Sequence, residues 1–144
     1  MDVSLVTVTG DNGVSLEIPD NFFEFSANER LEPVVSEDGE KYYQIWHLGH
    51  HLGVYLHWKS GTVVAGSRLD RRVFANSTIQ KFRECVLSLA EHFPYYSDDP
   101  DQDELNEAGR NLENLVGAID RPAVDEGTFW SDFISDIVMG SYVE

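Results

Sequence analysis

Cysteine is nearly missing from this chain. Cys85 is the single one in 144 residues, so no disulfide can close within it. That suits a reducing compartment, and Cys85 falls on or beside the apolar side of an amphipathic stretch, where it reads as a small buried hydrophobe. A nucleophilic role would need a base and an orienting group, and the sequence marks neither. Basic residues are scarce too: ten Lys and Arg stand against twenty-six Asp and Glu, a net charge of −16. A surface this acidic repels phosphate backbones, which argues against direct nucleic-acid binding and favours steered association with a basic partner. No apolar run approaches the length of about 20 residues that a membrane span needs. The opening MDVSLVTVTGD lacks the basic start and long apolar region of a signal peptide. The expectation is a cytoplasmic protein without a membrane partner. Also missing are a G-x-S-x-G elbow, a phosphate-binding glycine loop and an HExxH helix, so nothing points to an enzyme, a cofactor or a bound metal.

What is present fits a folded chain. Apolar residues make up 42% and aromatics 12%, and a chain of this length buries about two-thirds of its unfolded surface, enough for one domain over residues 1–144. Residues 3–8 and 14–18 alternate and flank the turn signal Asp11-Asn12-Gly13, which predicts a hairpin. Phe22, Phe23 and Phe25 form an aromatic cluster of core type. Residues 26–33 are polar and read as a loop before a short strand at Val34 and Val35. Strands follow at 41–47, 54–58 and 62–65, joined by short links into an antiparallel meander. An irregular link, 66–72, then delivers Phe74, Ala75 and Asn76 into a helix over 77–92. Ile79, Phe82, Val86, Leu89 and Phe93 trace its apolar face, and Ser77 with Gln80 has capping-box spacing. Pro94 stops it. A second helix covers 102–119, with Asp101 and Glu104 at its start, and a third opens at Thr128 and closes at Gly140. Strands first and helices last predict an α+β domain, an antiparallel sheet of about six strands with helices packed against it.

Four clusters could carry chemistry. His47, His50 and His51 have spacings that could share a metal on a helix, but Gly49 and Gly53 bracket them and strands flank them, which favours a solvent-facing connection. Asp98, Asp99, Asp101 and Asp103 partly imitate a calcium loop, but Pro100 interrupts the run and no suitably placed Gly follows. Arg68, Arg71 and Arg72 either bind an acidic or phosphate partner or balance local acid, pairing with Asp70 or the loop at 95–101. The exposed acids are the most usable feature. Six acids and no base lie between Asp98 and Glu107. Such a face is either merely solvated or able to cap the nucleic-acid-binding surface of another protein.

Around the first helix, Ser60-Gly61-Thr62-Val63 makes a strand with a Gly turn, and Phe74-Ala75-Asn76-Ser77 followed by Phe82 makes an aromatic-Asn-Ser helix opening. In these features the stretch resembles the fourth family of the SUKH superfamily of bacterial immunity proteins. A second block, residues 112–120, then Ala123, Phe129-Trp130 and Ile134, resembles the family's end. Ala75 stands where the family more often has valine, and the acid-rich insertion at 95–104 also departs from the pattern. The resemblance implies an α+β SUKH-like fold without catalytic residues, and a protein that neutralises a cognate polymorphic toxin, often a nuclease or deaminase, by stoichiometric occlusion. The candidate partner-binding residues are Tyr95 and Tyr96 as aromatic anchors, with Asp98, Asp99, Asp101, Asp103 and Glu104. Charge reversal at Asp98, Asp99 and Asp101 is expected to weaken toxin binding without unfolding the protein. The alternatives are a SUKH-type adaptor or regulatory protein-binding module, and a small-ligand or metal-binding domain using the histidine connection.

Overall fold

The computed structural model describes residues 1–140. Strands β1 (Ser4–Thr9) and β2 (Ser15–Asp20) form an antiparallel hairpin with Ser4 opposite Asp20 and Thr9 opposite Ser15. Its turn needs Gly13, whose φ of 83° lies in the left-handed region that side chains resist. A second sheet holds β3 (Ser26–Val35), β4 (Lys41–Leu48), β5 (Leu52–His57), β6 (Val63–Gly66) and β7 (Val73–Asn76) in chain order, every neighbour antiparallel. Helices α1 (Ile79–His92), α2 (Gln102–Ile119) and α3 (Phe129–Val138) follow. The α+β class and the strands-then-helices order stand. The strands number seven in two sheets.

Three local expectations change. Residues 26–33 are not a loop but most of β3, an edge strand of the larger sheet. Ala27 pairs with Trp46 and Glu32 with Gln44, with a bulge between. Edge strands carry charges and tolerate proline because one side faces no further strand, so Glu29, Arg30, Glu32 and Pro33 mask the strand's identity. Residues 73–76, which the sequence assigns to no element between the 66–72 link and the helix, form the short strand β7, with Val64 opposite Phe74. The α1 cap is Thr78 and not Ser77: Thr78 Oγ1 accepts from Lys81 N at 3.1 Å. The Ser77 hydroxyl is drawn elsewhere, as described below. The caps at Asp101 and Thr128 hold as expected, accepting from Glu104 N and Ser131 N.

The core joins strands and helices. Trp46 is fully buried, its ring stacked at 4.9 Å from Phe25 and 5.9 Å from Phe22, with the edge of Phe82 at 4.9 Å. Its indole N–H donates to the Pro19 carbonyl, which ties the larger sheet to the hairpin. Removing a side chain packed this closely costs about 3–5 kcal/mol. On the other side of the sheet Tyr42, Tyr55, Val64 and Leu69 form a small second cluster, and the Arg72 guanidinium lies over the Tyr42 ring.

Candidate functional site

The acidic loop between α1 and α2 is shaped by its own residues. Tyr95 turns its ring inward toward Phe23, Phe93 and Phe133, and its hydroxyl donates to the Leu89 carbonyl at the end of α1. Tyr96 is half-buried against the core. Glu104 accepts from both Ser97 N and Ser97 Oγ, at 2.6 and 2.8 Å, and so fastens the loop to the first turn of α2. Asp101 caps α2. Two of the five candidate acids therefore hold the loop in place. Asp98, Asp99 and Asp103 are exposed, and none of them forms an ion pair among the described residues. Charge reversal at Asp101 would also remove the helix cap, so Asp103 replaces it as the informative position.

The acidity continues over the helices. Between Pro94 and Gly140 lie twelve acids and two bases, Arg110 and Arg121. Glu107, Glu113, Asp125, Glu126, Asp132 and Asp136 are all exposed. Six of the ten bases instead lie on the strands of the larger sheet or the links between them, at Arg30, Lys41, Lys59, Arg68, Arg71 and Arg72. Arg68 pairs with Asp70 at 3.3 Å, and Arg72 approaches Asp38 at 3.9 Å while donating to the Leu69 carbonyl. These two balance local acid, but not the acid of the 95–101 loop. Beside that loop a groove of about 500 Å³ runs between α1 and α2, lined by His92, Tyr95, Asn111, Leu112 and Leu115 among others.

The histidines part company. His47 Nδ1 lies 2.7 Å from Asn28 Oδ1, while His50 and His51 sit exposed in the β4–β5 turn. Among the described residues no three His, Cys, Asp or Glu side chains converge as a metal-binding group. His57, Ser60 and Glu40 are triad-like by residue type. Ser60 N and Oγ both meet His57 Nδ1 and help close the turn between β5 and β6, while Glu40, from the β3–β4 link, stands 3.7 Å from His57 Nε2. Burial pushes the Cys85 thiol up to about 12, the opposite of what a nucleophile needs.

Where the two motif blocks meet, the structure builds something that spacing could not show. Asp120 ends α2 with its carboxylate fully buried. It accepts from Asn76 Nδ2 at 3.0 Å, from Ser77 N at 2.7 Å and from Ser77 Oγ at 2.7 Å. Asn76 Oδ1 in turn accepts from the Trp130 indole at 2.7 Å. Lys81 Nζ stands 3.9 Å from Asp120, the one cation in an ion pair with it among the described residues. The Asn-Ser opening of α1, the acid ending α2 and the aromatic pair opening α3 are thus one buried network that locks three helices onto β7. The sequence model of the SUKH-4 immunity protein family matches residues 18–136, which include every member of that network. This chain belongs to the SUKH-4 immunity protein family. No curated protein and no solved structure matched the chain. Within this SUKH-4 chain Asn76, Asp120 and Trp130 are buried and hold the fold together.

Proposed function

We propose that this chain is the intracellular antidote to a bacterial toxin. It would bind the toxin in the cytoplasm of the producing cell and cover a basic, substrate-handling surface of nuclease or deaminase type. Membership of an immunity family supports toxin binding in general. The observation that carries the finer reading is the acidic side formed by the 95–101 loop, α2 and α3, where Asp98, Asp99 and Asp103 face solvent without an ion pair among the described residues. Fixed, unpaired negative charge raises the encounter rate with a basic partner and penalises acidic ones. The α1–α2 groove beside it offers Leu112 and Leu115 to an apolar side chain, so charge sets the approach and the groove takes an anchor. Binding by occlusion uses no catalytic group, and the acids need only remain ionised.

The test is neutralisation and affinity measured against the toxin domain encoded beside this gene. The chain should protect cells expressing that domain and bind it one to one. The triple variant Asp98→Lys, Asp99→Lys, Asp103→Lys should bind at least about tenfold more weakly. Most of the loss should fall in the association rate, and it should shrink as salt rises. Equal affinity in the variant would remove the acidic loop from the interface, and failure to protect would remove the toxin reading itself.

A further inference from the structure

A second cavity, of about 340 Å³, opens between the larger sheet and α3, and none of the acids of the 95–104 stretch lines it. Its walls are apolar: Phe25, Leu48 and Leu52 from the sheet side, Val73 from β7, and Phe129 and Phe133 from α3. Two carboxylates stand over it, Asp132 and Asp136. They are four residues apart on α3 and so share one helix face, where like charges destabilise the helix. Helix α3 contains no basic residue, and neither carboxylate is in an ion pair among the described residues. Arg71 is the one cation among the described residues that line the cavity. Two carboxylates and one guanidinium leave a single net negative charge at the mouth.

We propose that this cavity is a socket for one arginine or lysine side chain of a protein partner. The aliphatic stem of such a side chain would lie along Leu48, Leu52, Val73 and the two phenylalanine rings, and its cationic head would reach Asp132 and Asp136. Arg and Lys combine those two properties, an apolar stem and a charged tip. A guanidinium can bridge two carboxylates at once through its fork of N–H groups. The charge balance admits one cation, not a polybasic run, and Arg71 lines the same cavity without pairing with either acid among the described residues. That the occupant belongs to a toxin rests on the function proposed above. The socket's preference for a cationic stem does not.

The experiment uses the full chain and two small probes, n-butylguanidinium and n-butanol, which share a stem and differ in charge. Amide and methyl resonances are followed as each probe is added to millimolar concentration. Butylguanidinium should shift residues around Leu48, Leu52, Val73 and Phe129 and bind about tenfold tighter than butanol. Asp132→Asn with Asp136→Asn should abolish that difference without lowering the melting temperature. Arg71→Ala should tighten butylguanidinium binding several-fold, an effect that a merely structural arginine would not produce. Equal binding of the two probes, or shifts spread over Asp98, Asp99 and Asp103 as strongly as around the socket, would overturn the proposal. A chain that takes butylguanidinium here and protects against no toxin keeps the socket and loses the proposed function. A toxin bound through the acidic loop, with no butylguanidinium effect, does the reverse.

Discussion

Replacing Asp120 separates the geometry of the junction from its charge. In Asp120→Ala the buried Asn76 amide loses its oxygen acceptor and keeps only the weak one, Cys85 Sγ at 3.5 Å, and Ser77 loses one for its N–H and one for its hydroxyl. Hydrogen bonds to a charged group contribute about 1.5–3 kcal/mol each, and a stranded buried donor carries its full desolvation penalty. Ser77 is half-buried, so water can serve part of its need, whereas Asn76 is sealed. The alanine variant should therefore lose about 3–5 kcal/mol, a large share of the roughly 5–15 kcal/mol that a domain has. Asp120→Asn should behave differently. Its carbonyl oxygen can take the place of Oδ2 and keep the bonds from Asn76 and Ser77 N. Its amide can take the place of Oδ1, where the Ser77 hydroxyl turns round to accept. Weaker, neutral bonds are then partly offset by no longer burying a charge, for a net loss of about 1–2 kcal/mol. Urea denaturation of the three proteins, followed by tryptophan fluorescence with the slope m held common, reads both values. A loss under about 1 kcal/mol for alanine, or an asparagine variant as unstable as alanine, would refute the argument that satisfied donors hold this junction.

Three further outcomes follow from the same geometry. A Cβ at Gly109 would sit 2.4 Å from Val138 Cγ2, so Gly109→Ala should destabilise the α2–α3 seam by about 1–3 kcal/mol despite alanine's better helix propensity; adding Val138→Ala should recover part of it in the same urea assay. The Cys85 thiol is raised to about 12 by burial, with Asp120 and Glu84 adding to the rise. It should stay silent to a thiol-specific dye at pH 8 until urea unfolds the chain. Because the unfolded thiol loses its proton first, the stability due to Cys85 is whole below pH 9 and falls as pH rises toward 12, which alkaline denaturation midpoints would show. In the acidic loop, Asp101→Ala should cost about 1 kcal/mol as a lost helix cap, while Asp98→Ala and Asp103→Ala should each change stability by less than about 0.5 kcal/mol in thermal melts.

Most of the fold was readable because its signals are local. The hairpin of β1 and β2, the meander of β4 to β6, the apolar faces of all three helices and the caps at Asp101 and Thr128 depend on residues a few positions apart. What stayed hidden depends on distant partners. Strand β3 looked like a loop because an edge strand exposes polar side chains, and β7 is only four residues long. Ser77 looked like the cap of α1 because nothing nearby competes for its hydroxyl. The competitor is Asp120, 43 positions later. The members of the buried network were legible as a family pattern, but their convergence was not. For the candidate surface, the acids were visible as composition, yet the division between Asp101 and Glu104, which build the loop, and Asp98, Asp99 and Asp103, which only face outward, needed the hydrogen bonds. Asp132 and Asp136 could have been noticed as like charges one turn apart on an apolar helix.

That division bears on how a protein of this family could meet different toxins on one scaffold. The Asn76–Asp120–Trp130 network leaves little freedom, since each buried donor must find its acceptor and a half-satisfied network is worse than none. The phenylalanine and tryptophan rings around Trp46 are bound by packing in the same way. By contrast, Asp98, Asp99 and Asp103 form no ion pair among the described residues, and exposed positions of this kind change stability little when altered. Folding and the proposed recognition thus fall on separate residues. Changing the charge pattern of the loop, or the side chains over the α3 socket, would redirect partner choice at almost no cost to the fold. The exceptions are Glu104 and Asp101: they would resist such change, because without them the loop loses its attachment to α2 and no longer presents its remaining acids in a fixed place.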